Sequence, residues 1–488
     1  MSFLTFSFSI FLLIAFVFQW LLPHKFRWIS LLCASVFFFS FVAYKFLPLL
    51  LVVILISWIA AIKIEERPNL ISSKILYLIA VFLPLLSLLF YKYIAFFFDL
   101  LPCGFLGQNF KEISKEFSSS IVLPLGISFW VFSILSYLID VKHGKIRAER
   151  NLGLWATYVL YFPKLVSGPI VRADTFLGQV SNLQHFSYDR AVYGLRQFAL
   201  GLFRKVVIAD YLATFTDVAF NQTGRFCAGA LVLSAFLYSI QIYNDFAGYS
   251  DMAIGTSRLL GIDLQDNFKS PYFARSLKEF WSRWHISLST WFRDYLYFPM
   301  GGSRCSFFRA RFNLIATFLV SGLWHGANLT FVVWGLVHGV VQAFEKTFTS
   351  VISNKFHRSE FKLIGNFIGW FFTFSIVTLT WVFFRCESFN SACIYIERMI
   401  YFVGNPLFEI KKAFQQFAIT TPISIRLFLP MLMVGIWDFI ALKHDPFKVT
   451  SQWNLFLRWI LHLIVITIII YVLLPIGSSS KSFIYFQF

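Results

Sequence analysis

Two histidines stand out because of the company they keep. His325 lies in Val320-Ser321-Gly322-Leu323-Trp324-His325-Gly326-Ala327-Asn328, inside an apolar run over 312–344 that is long enough to cross a bilayer. An ionisable group at membrane depth is expensive to bury, and one kept there usually has a task. Imidazole changes its charge most readily near neutral pH, so it suits acid–base or nucleophilic work. Read as a helix, at about 100° per residue, 312–340 gives His325 a face shared with Phe318, Ser321, Asn328 and Val332. Ser321 and Asn328 are the polar groups of that face, and either is placed to fix the imidazole tautomer. His338 falls about 220° around, so the two cannot jointly ligate a metal from this helix. Gly322 and Gly326 are four apart, as are Gly335 and Gly339, a spacing that lets another helix approach closely. On spacing alone His325 reads either as a functional imidazole or as a packed one bonded to a neighbour.

His285 lies in a second stretch, 280–297, with Trp281, Arg283, Trp284, Trp291, Arg293 and Asp294 around it. As a helix, this stretch puts Arg283, Ser287, Thr290 and Asp294 on one narrow face. His285 is then opposite, with Trp281, Leu288 and Phe292. One reading is an interfacial helix with Trp anchors and a His bonded to a backbone carbonyl. The other presents the imidazole to an apolar site. A third stretch, 241–252, holds Asp245 and Asp251 in apolar surroundings. They are expected to pair with arginines such as Arg283 or Arg293, the alternative being a proton path. A fourth, 161–172, contains Pro163, Gly168 and Pro169 and reads as a break between helices. The sequence has no G-x-S-x-G elbow, P-loop, dinucleotide fingerprint or H-E-x-x-H. A soluble-type serine hydrolase or an ATP-driven pump is not supported.

The elements that must position these groups are membrane helices. The chain is 58% hydrophobic and 14% charged, with 64 phenylalanines, where a soluble domain runs near ~25% charged. The net charge of +18 suits basic loops between apolar spans rather than nucleic acid, for which no module is present. The six cysteines form no C-x-x-C pair and resemble neither a disulfide framework nor a zinc site. Apolar runs occupy 3–22, 28–44, 46–62, 75–98 and 120–139, then 312–344, 361–384, 422–442 and 455–475. The first run reads as a retained span and not a cleaved signal peptide. The links 24–27, 63–74 and 142–150 are basic and alternate with weaker ones such as 101–119, where Lys111 and Lys115 are offset by Glu112 and Glu116. The positive-inside rule then puts the basic links in the cytoplasm and the N-terminus outside. Between 150 and 311 the apolar pieces are shorter and broken, as in re-entrant or interfacial helices lining a cavity. The expectation is an all-α polytopic membrane protein of about eleven spans, a single domain over 1–488. Residues 120–340 form its motif-bearing core, with spans over 1–119 and 341–488 on either side.

Taken together and in order, Leu123-Pro124-Leu125-Gly126-Ile127-Ser128-Phe129, 162–172, 201–210 (Gly201 to Asp210), 241–255, 280–302 and 321–328 resemble the membrane-bound O-acyltransferase family. The resemblance is to its bacterial branch, which acetylates alginate and peptidoglycan or D-alanylates teichoic acid. Lys164 and Asn244 depart from the family pattern. The resemblance implies a ring of helices around a central funnel that reaches the signature histidine, matched by His325, with His285 as the second motif histidine. It implies acyl transfer from acetyl-CoA or an acyl-carrier thioester, as a donor substrate rather than a bound cofactor. Neutral His325 would be the base, and His285 would orient the donor or polarise its carbonyl. Arg283, Arg293 and Lys278 would hold donor phosphates, with Ser321, Asn328, Trp324 and Asp294 in support and no metal. An extracytoplasmic acetyltransferase or a small membrane acceptor protein is the implied partner, in the inner membrane.

Overall fold

A computed structural model of the chain describes residues 2–100, 121–182, 185–355, 362–476 and 483–484; the link at 101–119 lies outside the described residues. Every regular element among them is a helix. At membrane depth each backbone N–H and C=O must be satisfied by the protein itself, which a helix does along its own length. The N-terminal runs accordingly become helices Phe6–Leu21, Arg27–Ala43, Leu47–Glu66, Ile71–Leu88 and Ile127–Lys142. Among the described residues four stretches are long and apolar enough to cross a membrane: His24–Glu66, Ile71–Phe98, Leu363–Arg385 and Thr421–Ala441. Phe6–Leu21, Leu329–Glu345 and Leu455–Tyr471 are shorter apolar helices. These apolar helices make the chain the all-α polytopic membrane protein expected, and the core between them consists of shorter or more polar helices.

The described chain divides into two compact units. The first comprises Met1–Phe198 and Met252–Gln265. Its phenylalanines sort by direction: Phe6, Phe37 and Phe41 are exposed, as lipid-facing residues are, while Phe8 and Phe38 are buried. The Phe11 ring meets Phe162 edge-on at 5.0 Å. At one end of this unit Arg150 bridges Glu65 and Glu66, at 2.7 and 2.8 Å. Glu65 also accepts the Ala148 N–H, at 3.1 Å. Two of the basic links, 63–74 and 142–150, therefore meet at the same end.

The second unit comprises Ala199–Asp251 and Asp266–Phe488. The apolar run at 312–344 is not one span. It folds as a hairpin of two helices, Phe307–His325 and Leu329–Lys355. Gly322 and Gly335 face each other across this hairpin: a Cβ on Gly322 would collide with the Phe331 carbonyl oxygen, and one on Gly335 with that of Phe318. A Cβ on Gly339 would lie 2.9 Å from the Ile315 Cα and 3.2 Å from the Phe318 Cβ. The small-residue spacing thus serves the close approach expected, with the next helix of the chain as partner. Gly326 serves differently, as the turn residue under the Phe331 ring. A second departure is the helix Ala228–Leu259, 32 residues without a break, in a region expected to hold only short pieces. Its acids, buried Asp245 and half-buried Asp251, disguise it, and they are neutralised by partners described below.

The hairpin yields a stability test. Gly322→Ala or Gly335→Ala overpacks the crossing and should destabilise the protein by about 1–3 kcal/mol. Gly365→Ala is the control, since nothing stands within 4 Å of its added methyl. Thermal unfolding in detergent should show the midpoint drop for the first two and none for the third.

Candidate active site

His285 sits on a break, not on a helix face. The helix Leu277–Arg283 ends, Trp284 is extended, and His285 adopts a left-handed backbone (φ 43°, ψ 53°) before Ile286–Phe292 begins. A non-glycine residue there costs on the order of 1–3 kcal/mol and persists where its surroundings over-determine it. Those surroundings are residues 267–269. The Ile286 N–H donates to the Asn267 carbonyl at 3.0 Å, and the Lys269 N–H to that of Arg283 at 2.9 Å. Ser287 donates its hydroxyl to Asn267 Oδ1 at 2.6 Å and its backbone N–H to the same oxygen at 3.3 Å. The expected continuous helix over 280–297 is therefore not formed, because these bonds replace those of the helix. Arg283, Ser287, Thr290 and Asp294 share no single face. At the far end of the Leu277–Arg283 helix, Glu345 accepts the N–H groups of Leu277 (2.6 Å) and Lys278 (3.0 Å), which places a carboxylate at a helix N-terminus.

His325 is the last residue of its helix. Gly326 is extended, and Asn328 opens the next helix by accepting the Thr330 N–H at 3.0 Å. The Asn328 amide also donates to the Glu387 carbonyl at 2.8 Å. Asn328 thus caps the turn and does not share a helical face with His325, as expected from a continuous helix. Gly326 followed by Asn328 is a helix stop and start signal that marks this turn in the sequence. Ser321 lies one turn before His325, buried on the same helix.

The two breaks bring the imidazoles together. The ring centroids of His285 and His325 lie 6.4 Å apart, and their exposures are 0% and 3%. Aromatic rings wall the pair. Phe246 lies 4.6 Å from His285; Trp324, Trp334 and Phe384 lie 4.9, 5.1 and 5.3 Å from His325. A third histidine, His338, completes the cluster. The Trp281 indole N–H donates to its Nδ1 at 3.3 Å. Its proton therefore sits on Nε2, which donates to the Thr380 hydroxyl at 3.0 Å, and Thr380 donates on to the Val377 carbonyl at 2.9 Å. His338 is a neutral structural imidazole of fixed tautomer, a role that its sequence spacing did not suggest. Among the described residues no three His, Cys, Asp or Glu side chains are grouped to hold a metal ion.

The chain is similar to known proteins over most of its length. Residues 151–389 match the membrane-bound O-acyltransferase family. A protein named probable alginate O-acetylase AlgI from Pseudomonas putida is 34% identical over 482 residues, which are 95% of each chain. The chain belongs to the membrane-bound O-acyltransferase family. A peptidoglycan O-acetyltransferase from Helicobacter pylori is 36% identical over 417 residues, 79% of this chain and 76% of its own. A teichoic acid D-alanyltransferase from Bacillus subtilis is 28% identical over 231 residues, 46% and 58% of the two chains. The protein is thus a multi-pass membrane O-acyltransferase.

Around the histidines of this O-acyltransferase the acids have settled partners. Asp245 and Asp251 pair, as expected in kind, but not with Arg283 or Arg293. Lys205 Nζ lies 2.6 Å from Asp245 and 2.8 Å from Asp210. Arg204 reaches Asp438 at 2.8 Å and Asp251 at 3.5 Å, and the Tyr243 hydroxyl donates to Asp438 at 2.7 Å. These cations come from the adjacent positions 204 and 205, and their burial demands carboxylate partners at once. Arg283 instead pairs with Glu279 on its own helix at 2.6 Å, and Arg293 with Asp294 at 2.8 Å. Lys278 is exposed, as is about half of the Arg293 side chain (53%). Lys205→Met leaves the buried Asp245 and the half-buried Asp210 without this cation and should destabilise the protein by about 3–5 kcal/mol. Comparing its unfolding midpoint with that of Arg293→Met, which loses an exposed pair and a surface contact with the Phe298 ring, checks this.

Proposed function

We propose that the protein moves an acetyl group from a cytoplasmic thioester, acetyl-CoA or an acyl-carrier thioester, across the cell's inner membrane. The group serves O-acetylation of an extracytoplasmic polysaccharide such as an alginate-like exopolysaccharide or peptidoglycan. The observation that carries this reading is the pair of buried imidazoles 6.4 Å apart, each on a helix break inside an aromatic wall. The names of the two relatives that span most of the chain supply the acetyl group and the class of glycan. The D-alanyl relative covers under half of the chain, so acetyl is the group proposed.

The chemistry follows from the side chains. Neutral His325 takes the proton of the acceptor hydroxyl as its oxygen attacks the thioester carbonyl carbon. The tetrahedral intermediate collapses, the C–S bond breaks, and His325 returns the proton to the departing thiolate. His285 orients the donor. Lys278, exposed on the helix before His285, and Arg293, exposed at the cap of the helix after it, hold the donor's phosphates, and Arg283 supports them from its pair with Glu279. Ser321, Trp324, Asn328 and Asp294 keep the two breaks in shape. The acceptor is an extracytoplasmic acetyltransferase or a small membrane protein, which passes the group on. The whole chain acts as one membrane domain with the links 24–27, 63–74 and 142–150 in the cytoplasm and the N-terminus outside. The meeting of Arg150 with Glu65 and Glu66 supports a common side for two of those links.

His325→Ala should lower acetylation by about 10²–10⁴-fold while the unfolding midpoint stays near that of the parent. Base-labile acetate on glycan from cells carrying the variant as sole copy is the readout; near-parental acetate would remove His325 as the base. The double variant Lys278→Ala/Arg293→Ala should raise KM for acetyl-CoA in isolated membranes and leave kcat nearly unchanged. Added salt should weaken the parent's donor affinity in the same direction.

A further inference from the structure

Acyl transfer leaves negative charge on the carbonyl oxygen of the tetrahedral intermediate, and that oxygen needs a donor already in place. Trp334 and the two indoles packed on it, Trp281 and Trp381, differ in what their N–H groups do. Trp281 is committed to His338, and Trp381 donates to the Tyr272 hydroxyl at 3.2 Å. Trp334 is different. Its side chain is wholly buried (0%), and its indole N–H meets no acceptor among the described residues. Indole nitrogen can only donate, and a buried donor left without an acceptor is costly, so such a group calls for an explanation.

Its position supplies one. The Trp334 ring lies 5.1 Å from that of His325, nearly perpendicular to it. It is held from several sides: stacked on Trp381 at 6.0 Å, and edge-on to Trp281 at 5.6 Å and Phe384 at 5.5 Å. His338, itself locked by Trp281 and Thr380, packs on it at 5.0 Å. A donor held this rigidly does not have to reorganise during the reaction.

We propose that Trp334 is a catalytic residue that donates its indole N–H to the carbonyl oxygen of the transferred acyl group. The inference rests on the reading of His325 as the base. The acceptor oxygen adds to the carbonyl carbon and gives its proton to His325. The C=O π electrons move onto the carbonyl oxygen, which the Trp334 N–H then holds. They return to re-form C=O as the C–S bond breaks, and the thiolate recovers the proton from His325. The Trp334 proton stays on nitrogen throughout. The acceptor that this buried donor lacks thus arrives with the acyl group.

The test removes the N–H and keeps the ring. Full-length Trp334→Phe, and a variant carrying benzothienylalanine at 334 with sulfur in place of N–H, are compared with the parent and His325→Ala. The measurement is the initial rate of labelled acetate incorporation into extracytoplasmic glycan, in cells at matched membrane levels of protein. Both Trp334 variants should lose about 10²-fold with unchanged unfolding midpoints. If His325→Ala is inactive while the benzothienylalanine variant stays within threefold of the parent, the Trp334 assignment is wrong and the base assignment stands. If His325→Ala remains active, the reading on which the inference rests falls first. A loss confined to Trp334→Phe, with a lowered midpoint, would make Trp334 a packing residue and likewise overturn the proposal.

Discussion

The site depends on a single constraint: a helix interrupted inside an apolar environment must find other partners for the backbone groups it frees. At His285 those partners are the backbone and side chain of Asn267 and the N–H of Lys269. At Gly326 they are the Asn328 side chain and the capping of the returning helix. Neither histidine could occupy its place on an unbroken helix. A continuous 280–297 would turn His285 with its neighbours, and a continuous 312–344 would not fold back to set Trp334 against His325. The breaks are what turn two isolated imidazoles into a pair.

The segment that satisfies the first break is itself anchored. Ser270, which also has a left-handed backbone (φ 49°), donates its hydroxyl to the Asp438 carbonyl at 2.7 Å. The Asp438 carboxylate in turn is held by Arg204 and Tyr243. On the Ala228–Leu259 helix, Asp245 takes Lys205 on one oxygen and the Ile484 N–H on the other, at 2.8 Å. The next residue, Phe246, packs on His285. Charge pairing and aromatic packing therefore converge on the same imidazole from separate parts of the chain. A buried ion pair is a weak source of stability when compared with an apolar replacement. Its value here is that the paired groups have few other places to go, which fixes the loop and the helix in register.

Much of this architecture is legible in the sequence, and what is hidden has a physical cause. The flanking spans follow from run length, as in Thr421–Ala441 against an expected 422–442. Gly322, Gly335 and Gly339 announce a close crossing, though not that it lies within one hairpin. The turn at Gly326 carries ordinary stop and start residues, but the apolar run around it outweighs them. The break at His285 is different, because Ser282-Arg283-Trp284-His285-Ile286-Ser287 contains neither glycine nor proline. Hydrogen bonds from residues 267–269 make it, and no local pattern reports a partner that distant. The same holds for the ion pairs: Arg204 and Lys205 read as basic residues, and only the fold shows which acids they meet. His338 is reached through a turn, so its spacing from His325 along one continuous helix does not report that the two share a cluster.

The locked state of His338 has a consequence for membrane energetics. An enzyme that opens a path for acyl groups between two compartments risks opening one for protons as well, and a chain of buried imidazoles is the usual material of a proton wire. Here the third imidazole has both ring nitrogens engaged, one receiving from Trp281 and the other giving to Thr380, whose own hydroxyl ends on a backbone carbonyl. Passing a proton inward would require His338 to accept at an atom already filled by a group that can only donate. The hydrogen-bond chain is a dead end in that direction. With His325 acting as the base proposed above, the proton it takes up has no onward route through His338 and returns to the reaction.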